Sequence, residues 1–424
     1  MKRVYIRAVL ILLVILIPLA AVFYYVRNRP QHLPLVDIPP VKSSGLIAAI
    51  YEDETNRGRV VSIDLDGNVR HAKGDEHDDS QPVWKSPDGR RVFLISNRTS
   101  DGSYQLFEWL PDRDNEPRQL TPNGSSRSSP WFDANSQAII MASRGVIYRL
   151  TYPGLRMRSL FPPGMRPDET AGAEGGVIIE EGKQRSDDAI LRAWRSLSEV
   201  MEGEAFEEGF VDSSGKYFLG NYATARGYSI IYQNLSPEDD SQISPRPLIA
   251  GDRVEIQMFS KEPKAVISVV NFKYPIISQV PSERIRPDGT VERDFVSAVF
   301  IVDLSFQSQN PYVPLFIDPE DKTAMAHIKI SPNQEELALV RLEKNEGRWE
   351  SKGLLVAPLR EGGILQAREI ATGSISDIDW SADGQKLTFI KDGHVYVINR
   401  DGSGEKQLTR GAGRYSQPRF SPQR

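Results

Sequence analysis

The 424-residue chain contains no cysteine. This absence excludes disulfides, thiolate metal sites and cysteine nucleophiles, but leaves the compartment open. Familiar catalytic motifs are also missing, because the sequence has no Gly-x-Ser-x-Gly elbow, no Walker loop and no Gly-x-Gly-x-x-Gly after a predicted strand. We therefore predict no catalytic residue, no cofactor and no enzyme activity.

Histidine is scarce, and the five histidines show no metal-ligand spacing. The acidic run "DEHDD" (75–79) is predicted to be a solvated loop. Calcium is the alternative there, although it needs six or more oxygens in a closed arrangement. The sequence therefore predicts no metal site.

A basic stripe is absent from the body of the chain. The first 42 residues hold six basic residues against one acidic residue, so they carry +5 of the whole-chain net charge of −5, and the remainder sums to −10. Nucleic-acid binding depends on clustered Lys and Arg that neutralise phosphates. We therefore exclude nucleic acid as a partner.

One long uncharged run lies near the N-terminus. Residues 8–26, "AVLILLVILIPLAAVFYYV", are 19 uncharged residues between Arg7 and Arg27, and a helix of that length covers roughly the 30 Å of bilayer hydrocarbon. They predict an uncleaved transmembrane signal-anchor, with residues 1–7 as a cytoplasmic tail and the body extracytoplasmic, or periplasmic in a Gram-negative cell. The alternatives are a cleaved signal peptide and a buried core helix. Residues 27–45 are predicted to be a proline-rich linker.

Beyond residue 45, short β-rich runs alternate with polar turns, and one unit recurs. An apolar strand, a turn and a second β-branched strand appear in seven copies that begin near residues 80, 128, 207, 254, 325, 375 and 416. A bulky apolar residue precedes the turn in each copy; these residues are Trp84, Phe132, Val211, Phe259, Ile330, Trp380 and Phe420. Four antiparallel strands every 40–50 residues are typical of β-propeller blades.

The two ends of the body complement each other. The final "SQPRFSPQR" (416–424) is an opening strand without its continuation, whereas residues 46–72 provide three strands without an opening strand. The sequence therefore predicts an all-β, seven-bladed β-propeller over 46–424 in which Phe420 lies beside the strand holding Ile47 and Ile50. Such closure removes open sheet edges. A degenerate unit would change the blade count to six or eight.

The units at 81–121 and 379–409 resemble repeats of the TolB-type, WD-like propeller family. They read "QPVWKSPDGRRVFLISNRTSDGSYQLFEWLPDRDNEPRQLT" and "DWSADGQKLTFIKDGHVYVINRDGSGEKQLT". The chain departs from TolB in its predicted membrane span and in lacking room for TolB's separate N-terminal domain. The resemblance implies an extracytoplasmic protein-binding propeller.

Two inserts, 161–205 and 271–294, lengthen connections on one predicted face, where binding usually resides. The first holds a predicted helix over 186–204, and the second a predicted loop. The helix carries an apolar stripe that includes Ile190, Trp194, Leu197 and Met201. This stripe either packs on the propeller or docks a partner or a second copy.

We predict a membrane-anchored, non-catalytic scaffold that binds another envelope protein or peptide, with an unknown oligomeric state. Loop position alone selects the candidate partner contacts His77, Asp79, Arg127, Arg226, Arg414 and Tyr415. A structural spacer is one alternative. Another is a propeller hydrolase or lactonase acting on a small extracytoplasmic substrate in the central channel. Carboxylates, or a carboxylate and a histidine, that meet in the channel with pKa values shifted apart would favour this enzyme.

Overall fold

The computed structural model describes residues 45–422, except 75, 86–88, 114–115, 166–177, 180–186, 202, 226, 238–243, 275–282, 286–290, 294–295 and 361. The predicted tail 1–7, the predicted span 8–26 and the linker up to residue 44 lie outside the described residues, as does Arg226. Within the described ranges, no helix combines the length and apolar character needed to cross a bilayer.

Four sheets contain four antiparallel strands each. The first is formed by β1 (Ile47–Glu52), β2 (Gly58–Ile63), β3 (Val69–His71) and β30 (Arg414–Phe420). The second is formed by β4 (Asp79–Trp84), β5 (Val92–Ser96), β6 (Gln105–Trp109) and β7 (Arg118–Gln119). The other two are formed by β22 (Thr323–Ile330), β23 (Glu336–Asn345), β24 (Arg348–Pro358) and β25 (Arg368–Thr372), and by β26 (Ile375–Trp380), β27 (Lys386–Lys391), β28 (His394–Asn399) and β29 (Lys406–Gln407).

Three further sheets have other sizes. A five-stranded sheet contains β8 (Ser128–Asp133), β9 (Ala138–Ser143), β10 (Val146–Thr151), β11 (Arg156–Phe161) and β12 (Ile178–Ile179). A seven-stranded sheet contains β13 (Gly203–Val211), β14 (Tyr217–Thr224), β15 (Gly227–Asn234), β16 (Arg246–Met258), β17 (Lys264–Tyr274), β20 (Ser297–Asp303) and β21 (Tyr312–Asp318). A two-stranded sheet contains β18 (Glu283–Ile285) and β19 (Val291–Arg293), where the sequence predicted a loop.

The long strand β16 explains the width of the seven-stranded sheet. Its first part pairs with β15 as far as Gly251, and its second part pairs with β17 from Ala250 to Met258. Strand β16 is therefore both the last strand of the set β13, β14, β15 and β16 and the first strand of the set β16, β17, β20 and β21.

The predicted closure of the body is confirmed. Strand β30 pairs antiparallel with β1, with Phe420 opposite Ile47 and Tyr415 opposite Tyr51. The N–H of Ser421 extends the pairing by donating to the carbonyl of Leu46 at 2.8 Å. The chain ends thus form one sheet, and β1 does not present an open edge.

The hydrophobic core is divided among the contacts between neighbouring sheets. One cluster joins Ile47 and Ile63 of the first sheet to Val395 and Val397 of the last. Such face-to-face packing is expected from strands that are apolar on both faces.

The described part of the chain contains one α-helix, α1 (Asp187–Met201), within the predicted range. Ile190 and Trp194 are buried, and they pack with Phe161 and Phe206 in one cluster against which Leu197 and Met201 also lie. The Trp194 ring is 5.2 Å from the Phe161 ring and 5.1 Å from the Phe206 ring, centroid to centroid. The apolar stripe therefore covers the propeller, which was one of the two predicted roles.

Candidate functional site in the central cavity

Seven strands supply most of the lining of one cavity of about 720 Å³. They are β4, β8, β13, β16, β22, β26 and β30, the strands that carry the seven copies of the recurring sequence unit. Two positions line the cavity in all seven strands; they lie three residues and one residue before the bulky apolar residue of the repeat. The first set, here the polar ring, is Gln81, Ser129, Glu208, Ile256, His327, Asp377 and Gln417. The second set, here the mixed ring, is Val83, Trp131, Phe210, Met258, Lys329, Asp379 and Arg419.

The polar ring is held in an unusual backbone conformation. Five of its non-glycine members have positive φ angles between 47° and 54°; they are Gln81, Ser129, His327, Asp377 and Gln417. Each lies where the pairing register of its strand shifts. A β-bulge adds one residue to a strand and redirects a side chain, and left-handed non-glycine residues concentrate at functional sites. The repeated bulge thus turns these side chains towards the cavity.

Side chains of the polar ring bond to the backbone of the next unit. The N–H of Gln81 donates to Gln417 Oε1 at 2.7 Å, and the N–H of Ser129 donates to Gln81 Oε1 at 2.6 Å. The N–H of Asp377 approaches His327 Nδ1 in the same manner, at 3.4 Å. The ring therefore links neighbouring units while it shapes the cavity.

Gln81 provides a test of this linkage. Gln81→Ala removes the acceptor of the Ser129 N–H but keeps the left-handed strain, so we expect a loss of about 1–2 kcal/mol in the free energy of unfolding. Gln81→Gly removes the same acceptor but relieves the strain, so its loss should be about 1 kcal/mol smaller. Chemical denaturation of both variants measures the difference, and equal losses would contradict the role assigned to the strained bulge.

A charged network surrounds His327. The Arg253 Nη2 atom lies 2.6 Å from Glu255 Oε1 and 3.3 Å from His327 Nε2. The other oxygen of Glu255 accepts the Ile328 N–H at 3.0 Å, and His327 Nδ1 lies 3.9 Å from Asp377 Oδ1. The His327 side chain remains 23% exposed. The imidazole is therefore positioned on both sides yet still accessible from the cavity.

The environment sets the protonation state of this network. Burial lowers the pKa of His327 below its ordinary value, and Arg253 acts in the same direction, although Glu255 and Asp377 oppose them. Burial would raise the pKa of Glu255, but Arg253, His327 and the Ile328 N–H outweigh it and hold that pKa below its ordinary value. At neutral pH the imidazole is thus neutral beside an ionised Glu255.

Asp379 lies between two cationic side chains at the equivalent position of neighbouring units, Lys329 and Arg419. Its Oδ2 atom accepts the Phe420 N–H at 2.8 Å. Burial raises the pKa of Asp379 above its ordinary value, even though Lys329, Arg419 and that N–H act in the opposite direction. Burial and the neighbouring Arg419 lower the pKa of Lys329.

Glu208 provides a second carboxyl group that retains its proton to a higher pH. Burial raises its pKa, and repulsion from Glu255 adds to the effect. Glu208 pairs directly with Asn221 across β13 and β14. The cavity thus combines carboxyl groups whose pKa values are shifted in opposite directions with a neutral histidine, an arrangement that is typical of functional sites.

The predicted partner contacts do not line this cavity where the structure describes them. Asp79 is 1% exposed and bonds to Arg98 Nη2 at 2.8 Å, and Arg127 is 3% exposed, with its guanidinium 5.4 Å from the centre of the Tyr148 ring. Tyr415 is also buried, whereas Arg414 is exposed and His77 is half-buried. Partner binding through these residues stays a prediction.

The residues of the cavity were not among the predicted site residues, although the repeats contain a signal for them. One position before the bulky apolar residue, four units have an apolar side chain, whereas the last three have Lys329, Asp379 and Arg419. Charged residues at a position that is apolar elsewhere in a repeat indicate a site, because burying a charge is costly unless it serves a purpose.

Metal coordination was tested on the same residues. Within the described ranges, no three His, Asp or Glu side chains are grouped so that they could hold a metal ion.

No family model matches the chain, and no curated protein matches it. Solved structures do match. An oligogalacturonate lyase in complex with manganese has a TM-score of 0.50 and 10% identity, over 86% of this chain and 85% of that one. A protein from Bacteroides uniformis named as a 6-phosphogluconolactonase has a TM-score of 0.44 and 13% identity over 88% and 97%. A protein from Agrobacterium tumefaciens named as a TolB has a TM-score of 0.38 and 10% identity over 72% and 90%.

At such low identity these likenesses show the fold alone, which is a β-propeller like that of the oligogalacturonate lyase. They also correct one prediction. We expected no enzyme activity, but the similar structure with a TM-score of 0.50 is that of an enzyme, an oligogalacturonate lyase. The prediction was wrong because it relied on linear motifs, whereas a propeller gathers its cavity residues from strands far apart in the chain.

Proposed function

We propose that the protein is a propeller hydrolase that opens a small ester or lactone in the central cavity. The observation that carries this proposal is the meeting in one cavity of His327, whose pKa is lowered, with the carboxyl groups of Asp379 and Glu208, whose pKa values are raised. A general base and a general acid with shifted pKa values are the components that acyl transfer to water requires.

The proposed step uses His327 as the general base. Its ring lone pair accepts a proton from water as the water oxygen forms a bond to the substrate carbonyl carbon. Arg253, which lies 3.3 Å from the ring, supplies positive charge for the oxyanion that develops. Asp379 or Glu208 then donates its proton to the departing alkoxide oxygen as the carbon–oxygen bond breaks, and Glu255 holds Arg253 in place.

Several finer features belong to the same proposal. Counting the seven-stranded sheet as two units gives seven blades, with the first strand of each blade lining the cavity. We retain the signal-anchor over 8–26 and the extracytoplasmic position of the propeller as proposals, so that the substrate is an extracytoplasmic small molecule.

The pH dependence of hydrolysis tests the acid–base assignment. The reactive form has a neutral His327. The pKa of His327 is lowered below its ordinary 6.5, and the imidazole is neutral at pH values above that lowered pKa. It also has a protonated carboxyl group, either Asp379 or Glu208. The pKa of Asp379 is raised above its ordinary 3.8 and that of Glu208 above its ordinary 4.5, and each group is protonated at pH values below its raised pKa. We therefore expect kcat/KM to rise with pH through the first value and to fall through the second.

The measurement is a pH-stat screen of the purified full-length protein against lactones and simple esters, followed by a kcat/KM profile on the best substrate. A bell-shaped profile is expected, with its maximum between the lowered pKa of His327 and the raised pKa of the carboxyl group. Asp66→Asn is the matched control, because Asp66 is exposed and does not line the cavity. No hydrolysis across the panel, or a rate that only increases above pH 8, would refute the proposal.

A further inference from the structure

Two cationic side chains of the mixed ring are held in the same way. Lys329 and Arg419 occupy equivalent positions in β22 and β30. The indole Nε1 of Trp380 donates to the Lys329 carbonyl at 3.0 Å, and that of Trp84 donates to the Arg419 carbonyl at 2.7 Å. Each indole comes from the next unit around the ring. The fold therefore fixes the backbone of both residues and points both cations at one cavity.

Neither cation is neutralised by direct pairing. Arg419 Nη1 donates to the carbonyl of the adjacent Pro418 at 3.0 Å. In the described part of the chain, no carboxylate oxygen lies within 4.0 Å, the limit of an ion pair, of the side-chain nitrogens of Lys329 or Arg419. Asp379 stands between them, so this arc has two cations and one carboxyl group. A half-buried charge without a partner is costly, which favours a ligand anion there.

The other carboxylates of the cavity are engaged elsewhere or lie further away. Glu255 pairs with Arg253 at 2.6 Å, and Asp377 faces His327 at 3.9 Å. Glu208 attracts Lys329 only from beyond ion-pair distance. The arc at Lys329 and Arg419 therefore remains the part of the cavity suited to negative charge.

Asn221 supplies an independent sign of a ligand. The residue is 8% exposed and lines the cavity, yet no donor among the described residues forms a hydrogen bond to its Oδ1 atom. A buried acceptor without a donor costs roughly 1–3 kcal/mol. A ligand hydroxyl would satisfy it.

The remaining arc of the mixed ring is apolar. It consists of Val83, Trp131, Phe210 and Met258, from four consecutive units. Trp131 and Phe210 meet edge to face, with ring centroids 5.6 Å apart. Such a surface suits the C–H face of a small ring or carbon chain.

We infer that the cavity binds a small hydroxylated anion, with Lys329 and Arg419 on its carboxylate or phosphate group, Asn221 on a hydroxyl and the Trp131 arc on its carbon skeleton. This inference rests on the proposed function and narrows its substrate to hydroxylated acids or their lactones. The volume of about 720 Å³ suits a ligand of that size, since small-molecule sites span roughly 300–1,000 Å³.

The test compares two matched pairs of probes by isothermal titration calorimetry on the full-length protein. Gluconate and sorbitol differ in a carboxylate, and glucose 6-phosphate and glucose differ in a phosphate, so the pairs distinguish the two anions. We expect at least one anionic probe to bind about 10-fold or more tightly than its neutral partner. Lys329→Met or Arg419→Gln should each weaken that probe about 10-fold and leave the neutral probe unchanged.

Lys261→Met and Arg410→Gln are the matched controls, because both residues are exposed and outside the cavity. They should not change the affinity for any probe. If the wild-type protein does not prefer either anion, or if the controls weaken binding as much as the cavity variants, the inference is overturned. If the protein hydrolyses neutral lactones but does not prefer anionic probes, only this inference is refuted. If it binds the anionic probes but hydrolyses no substrate, only the proposed function is refuted.

Discussion

Deletion of residues 411–424 is expected to abolish cooperative folding of the propeller. The deletion removes β30, and with it the partner of β1 along Ile47–Glu52. It also removes Phe420, which is 5% exposed and packs in the cluster between the first and last sheets. Loss of a buried Phe alone costs roughly 3–5 kcal/mol, and whole domains are stable by only about 5–15 kcal/mol.

The deletion also leaves donors of the neighbouring unit unpaired. The Gln81 N–H loses Gln417 Oε1, and the Trp84 indole N–H loses the Arg419 carbonyl. We therefore expect near-ultraviolet circular dichroism to lose its native signal and thermal unfolding to lose its sharp transition. A synthetic peptide of residues 411–424 should restore both, because it can re-form the sheet with β1.

Phe420→Leu is the control for this experiment. It keeps most of the apolar volume, so it should cost less than about 1.5 kcal/mol and leave the transition cooperative. A truncated protein that unfolds cooperatively at the wild-type temperature would show that ring closure does not stabilise the fold.

Loss of the general base is the second large effect. We expect His327→Gln to lower kcat/KM by about 10²–10⁴-fold, since general acid–base catalysis contributes that much. Glutamine approximates the size and polarity of the imidazole but cannot accept a proton at neutral pH. His394→Gln is the matched control, because His394 lies outside the cavity and should retain wild-type kcat/KM.

Asp379→Asn is expected to lower kcat/KM by a similar factor without lowering stability. The amide oxygen can still accept the Phe420 N–H, but it has no proton to donate. Because burial raises the pKa of Asp379, the folded state binds its proton more tightly than the unfolded state does. The carboxyl group therefore favours folding at low pH, and this contribution is lost as the pH rises through the folded-state pKa.

Asparagine carries no charge, so it avoids the cost of burying an ionised carboxylate. Thermal unfolding of Asp379→Asn at pH 7 should therefore occur at or above the wild-type temperature. A variant that loses both activity and several degrees of stability would indicate a structural role for Asp379 instead.

The sequence predicts the fold well because the information is local and repeated. The bulky residues from Trp84 to Phe420 mark the first strand of each unit, and the incomplete last unit predicts the pairing of Phe420 with Ile47. The helix follows from the spacing of Ile190 and Trp194, which both prove to be buried. These features depend on period and on turn chemistry, which a single chain displays directly.

The candidate site was not predicted, because its chemistry depends on distance in space. His327 and Asp379 are 52 residues apart in the chain, and Glu208 comes from a third strand. The burial that shifts their pKa values exists only once seven strands enclose a cavity. The hairpin of β18 and β19 escaped notice for a simpler reason, since three-residue strands carry little periodicity.

A kinetic double-mutant cycle on His327 and Asp379 tests the central claim most directly. Substitutions of residues that act as a unit in one reaction have strongly non-additive effects. We expect the double variant His327→Gln/Asp379→Asn to hydrolyse the best substrate about as slowly as the slower single variant does. The acid–base assignment would be contradicted by single variants with wild-type kcat/KM. It would also be contradicted by a double variant whose loss in kcat/KM is the product of two large single losses.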